Sequence, residues 1–91
     1  MSLQLGDEVE DNIKRTIAAF IVNATNLSDL GEDDHLFETG VLNSLFAVQL
    51  MTFIEKTFQI EVGKDDLDID NFKSIRATTA FVLRKNGFPA A

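Results

Sequence analysis

Residues 36–58 read LFETGVLNSLFAVQLMTFIEKTF, and an irregular stretch gives way to a regular one inside that run. From Ser44 onward, Ala47, Leu50, Met51, Ile54 and Phe58 recur at helical spacing and predict a helix from Ser44 to about Phe58. Asn43 is a good cap for that helix. Phe46 and Phe53 flank the apolar stripe, while Leu45, Val48, Gln49, Thr52 and Lys56 occupy the opposite side. Two apolar residues, Leu45 and Val48, are therefore expected to face outwards. The hydroxyl of Ser44 is presented where a loop ends and a helix begins.

Upstream of this helix, residues 26–43 carry two glycines, many acids and no sustained period, and predict a long connection. Loops of that length are uncommon in compact domains, so this one must be tied down. Leu30, Leu36, Phe37 and Leu42 are the apolar anchors available. Further upstream, Asp7 and Glu10 form a capping-box-like pattern ahead of Val9, Ile13, Ile17, Phe20, Ile21 and Ala24 at helical spacing. That pattern predicts a helix over about 8–25, with Asn12, Lys14 and Arg15 off the apolar stripe.

Downstream, Gln59–Gly63 reads as extended, and the acidic run KDDLDIDNF permits at most a short helix. Ser74 then caps a last helix with Ile75, Thr78, Thr79 and Val82 on its inner stripe and Phe81 and Leu83 on the flanks. Arg84 and Lys85 suit its negative end, and Gly87 and Pro89 stop it. The fold class expected is all-α: a small four-helix bundle of three main helices plus a short third one, forming a single domain over 1–91. No strand pattern competes with it.

With 45% hydrophobic and 25% charged residues, the composition is that of a folded globular domain rather than a disordered tail. Fifteen acids against eight bases give a net charge of −7, a field that repels nucleic acid and anionic lipid and favours partners with basic surfaces. No run approaches the roughly 18 to 20 apolar residues of a membrane-spanning helix, and the start of the chain lacks the charge pattern of a signal peptide. A cytoplasmic monomer is expected. Cysteine is absent, which excludes disulfides, thiolate metal sites and a cysteine nucleophile.

Three clusters invite chemistry. Asp66, Asp68 and Asp70 begin like a calcium loop, but Asn71 stands at the sixth position and Ala77 at the twelfth, where glycine and glutamate are needed. Glu32, Asp33, Asp34 and His35 lack the ligand set of a zinc site. The expectation is that no metal is bound. Ser44, His35 and several carboxylates raise serine-nucleophile chemistry, but a core this small leaves little room for an oxyanion hole and its supporting shell, so no catalytic residue is assigned. A serine at a helix start is common, but a hydroxyl there sits beside unpaired N–H groups and the positive end of the helix dipole, where a phosphate ester is well tolerated.

The order of features is a helix, a long loop ending in L-F-E-T-G-V-L-N-S-L, a helix continuing A-V-Q-L-M-T-F-I-E-K-T-F, then I-E-V and D-N-F-K-S-I before a last helix. Over nearly its whole length this resembles the acyl carrier protein family, including peptidyl and D-alanyl carriers. The match at Gly40 and Ser44-Leu45 carries most of the specificity. The resemblance implies a four-helix carrier fold in which Ser44, flanked by Asn43 and Leu45, receives 4′-phosphopantetheine from coenzyme A through a phosphopantetheinyl transferase. It implies no activity of the chain's own. The arm would hold acyl or aminoacyl groups as thioesters, supplied by a loading enzyme and passed to a synthase or transferase of fatty acid, polyketide or nonribosomal-type biosynthesis. That fits the absent cysteine, since the thiol belongs to the cofactor. Leu45, Val48, Gln49 and Thr52 are the residues expected to dock partners. Two features depart from the family pattern: Asn43 replaces the acid usual before the serine, and Glu55 is the one acid in the second helix. A dedicated partner follows from both. The competing reading is an unmodified acidic interaction module that keeps the fold.

Overall fold

In the computed structural model, residues 5–26, 31–37 and 44–87 are described. Three helices run α1 (Leu5–Thr25), α2 (Ser44–Phe58) and α3 (Ile75–Lys85). Two single 3-10 turns, Lys64–Asp66 and Ile69–Asn71, lie between α2 and α3, and there is no strand among the described residues. This is the all-helical, carrier-like bundle expected.

Each helix buries most of the stripe its spacing dictates. Ile13, Ile17 and Ile21 of α1 meet Phe46, Leu50 and Ile54 of α2 and Ile75, Phe81 and Val82 of α3 in one core. Leu36 from the long connection and Phe72 ahead of α3 complete it. Phe72 and Phe81 pack edge to face with ring centroids 5.1 Å apart, and Phe20 stacks on Phe53 at 4.2 Å. The buried threonines of α3 satisfy their hydroxyls on the helix itself: Thr78 donates to the Ser74 carbonyl and Thr79 to the Ile75 carbonyl, each at 2.8 Å.

Three expectations need correction. Helix α1 begins at Leu5, so Asp7 is a first-turn residue and not its cap; Glu8 suits the positive end of the helix from inside it. Ala24 lies at the register of the apolar stripe yet is exposed, because near the end of α1 its single methyl is too short to close against α2. Gln59 is not extended: it takes φ 55° and turns the chain out of α2. The short third helix expected in the acidic run is present as the two 3-10 turns. The aspartates cap the two turns at their N-terminal ends: Asp66 Oδ2 accepts from the Gly63 N–H at 2.9 Å, and Asp68 Oδ1 accepts from the Asp70 N–H at 2.9 Å.

The ends of α3 follow the sequence closely. Ser74 accepts from the Ala77 N–H at 3.0 Å as its cap, and Gly87 takes φ 86° just beyond its last turn. No helix among the described residues is long and apolar enough to cross a membrane.

Candidate functional site

Ser44 is the first residue of α2, where the backbone N–H groups of the opening turn have no partner within the helix. That turn contains no acidic residue, so no carboxylate of the turn itself competes for its donors. The donor set fits a phosphate ester, whose oxygens accept from such N–H groups at the positive end of the helix. Asn43, the residue before, lies outside the described residues.

The face of α2 that continues from Ser44 is open to solvent. Leu45 is 65% exposed and Val48 56%, and Gln49, Thr52 and Lys56 are exposed beside them. The opposite face, through Ala47, Leu50 and Ile54, is buried. Helical spacing therefore placed both faces as the structure has them. Glu55 is turned away from the outer face, with its Oε2 accepting from the Val62 N–H at 2.9 Å. The outer face of α2 thus carries no free acid.

The connection leading toward Ser44 is held from two sides in its described part, residues 31–37. Leu36 is buried and its N–H donates to the Lys73 carbonyl at 2.6 Å. Phe37 is half-buried; Leu30 and Leu42, the other expected anchors, lie outside the described residues. The second hold is ionic and was not anticipated. Arg76 of α3 grips Asp33 with two hydrogen bonds of 2.6 and 3.2 Å, pairs with Glu32 at 3.1 Å, and gives its own N–H to the Glu32 carbonyl at 2.9 Å. Lys14 of α1 reaches Glu32 at 2.9 Å. The Arg76 hydrogen bonds hold the Asp33 carboxyl below its usual range and raise the guanidinium in turn. No local pattern announces this clamp; its signal was two adjacent acids in a loop that needed fastening.

The clusters considered for other chemistry have structural uses. Glu32 and Asp33 are engaged by Arg76, and His35 accepts from the Phe37 N–H at Nδ1, 3.3 Å away. Asp66 also takes the Lys85 ammonium at 2.8 Å, which lowers its pKa together with the Gly63 N–H bond. No group of three or more potential metal ligands forms among the described residues. Leu67 and Ile69 are exposed at 61% and 47%, a feature legible in the alternation D-L-D-I-D but read only as an acidic run.

A family model described as phosphopantetheine attachment site matches residues 13–82, a span that contains α2 and Ser44. No curated protein matches the chain.

Proposed function

The chain belongs to the phosphopantetheine attachment-site family, and from that premise we propose that Ser44 is the attachment residue of a carrier for acyl or aminoacyl groups. Domains of this family receive 4′-phosphopantetheine covalently and are generally not catalytic. The observation that supports Ser44 is its position: it opens an acid-free first turn at the head of a solvent-facing helix.

When bound, the arm supplies a terminal thiol that holds the cargo. The chain's own residues do the presenting. The first-turn N–H groups of α2 and its dipole favour the phosphodiester. Leu45, Val48, Gln49 and Thr52 offer a transferase, a loading enzyme and a downstream synthase a surface beside the attachment point. The chain itself carries out no chemistry in this reading, acts in the cytoplasm, and comprises one carrier domain. Fatty acid, polyketide and nonribosomal-type assembly are the pathways such a carrier serves. The acid-poor outer face of α2 supports a dedicated partner over a generic basic one.

Intact-mass measurement after incubation with coenzyme A and a promiscuous phosphopantetheinyl transferase tests the assignment. Wild type should gain one phosphopantetheine; Ser44→Ala should gain none and keep its helical circular dichroism. Modification of the alanine variant would move the site elsewhere. A wild type untouched by several transferases would leave the interaction-module reading in its place.

A further inference from the structure

We infer that the space between α1 and the outer face of α2 is a docking groove for a partner-protein segment that presents an apolar side chain next to a carboxylate. The inference rests on the carrier reading, because that reading requires a partner.

The groove is open and has a volume of about 470 Å³. Phe20 and Ala24 of α1 form one wall; Val48, Thr52 and Phe53 of α2 form the other. It exists because Ala24 is too small to fill the space beside the Phe20–Phe53 stack. An apolar trough flanked by helices is the geometry that receives a side chain from an amphipathic helix. From Val48 to Lys56 the groove runs about 12 Å along α2, enough for roughly two turns of a docking helix.

Charge selects the occupant. Gln49 and Lys56 are the remaining lining residues, so no acid borders the groove, and the nearby Glu55 carboxylate is bonded to Val62. The ion pairs among the described residues take Lys14, Arg15, Arg76 and Lys85; Lys56 has no carboxylate partner there. Lys56 also suits the negative end of α2, but a dipole contribution of about 0.3–1 kcal/mol leaves its exposed charge largely available. On a molecule of net charge −7 this is a locally basic site, and the complement of a lone ammonium beside an apolar trough is a carboxylate beside an apolar side chain.

The test is residue-resolved amide NMR on the full chain, titrated with two short helical peptides that share one leucine pattern and differ in carrying glutamate or lysine beside it. The Leu–Glu peptide should shift the amides of Phe20, Ala24, Val48, Thr52, Phe53 and Lys56. Lys56→Glu should weaken it by about fivefold and turn the preference to the Leu–Lys peptide. Ala24→Trp, an exposed change that fills the trough, should abolish the shifts. Equal response to both peptides at these amides, response to neither, or self-association of the chain through the same residues would each overturn the inference. Uptake of mass from coenzyme A is read on the same sample. A chain that takes the arm but ignores the Leu–Glu peptide keeps the carrier reading and loses the groove. One that binds the peptide and never takes the arm keeps the groove and loses the carrier reading.

Discussion

Gln59 ends α2 with φ 55°, a left-handed conformation that costs a residue with a Cβ about 1–2 kcal/mol. Glycine removes that cost while adding roughly 0.4–1 kcal/mol of unfolded-state entropy to be lost. The difference decides the sign: Gln59→Gly should stabilise by about 0.5–1 kcal/mol, seen as a higher urea midpoint at unchanged slope. A lower midpoint would show that the exposed side chain contributes something its surroundings do not reveal. On α2 itself, Ile54 is fully buried and Val48 is 56% exposed. Ile54→Ala should therefore cost about 2–5 kcal/mol, while Val48→Asp should stay within about 0.5 kcal/mol and slow transferase loading. Equal destabilisation would contradict the facing of α2. That facing was legible because a helix of fixed pitch leaves each side chain little choice of side. Gln59 was not, because nothing in Phe58-Gln59-Ile60 marks a positive φ as Gly87 marks one after α3.

At the scale of elements, the clamp from α3 to the connection depends on ionised carboxyls. Asp33 is held below its usual range by Arg76, and Asp66 by Lys85 and the Gly63 N–H. A carboxyl depressed in the folded state contributes stability above its unfolded pKa and loses it as pH falls through the folded value. The affected window therefore opens near pH 4, the ordinary aspartate value, and extends below it. Arg76→Gln removes the charge that depresses Asp33, so this variant should have a smaller stability loss over that window than wild type, measured by urea unfolding at stepped pH. Lys85→Gln should act likewise through Asp66. Identical acid profiles for wild type and both variants would dismiss the role of these pairs. Sequence periodicity could not show the clamp, since Arg76 and Asp33 stand 43 positions apart and charges off an apolar stripe carry no period. In the acidic run, likewise, the acids were read as composition, while the carboxylates of Asp66 and Asp68 cap the two 3-10 turns.

For the molecule as a whole, the order of the main helices and the extents of α2 and α3 were readable, because three apolar stripes at one pitch admit few arrangements around a single core. The space beside Ala24 was not readable. Its register is that of a core residue, and only the neighbouring helix reveals that nothing fills the gap. The stapled connection has a further consequence, for the order of folding. Contacts within a helix close in short loops, whereas Asp33 meets Arg76 across 43 positions and Leu36 must likewise reach Lys73. These contacts should be absent from the folding transition state, so Arg76→Gln should accelerate unfolding in stopped-flow experiments and leave the refolding rate unchanged. A slowed refolding limb would place the staple in the nucleus instead. With the staple formed last, residues 31–37 should be the first of the described residues to lose their hold on α3, and the bundle can stand while those contacts break and re-form.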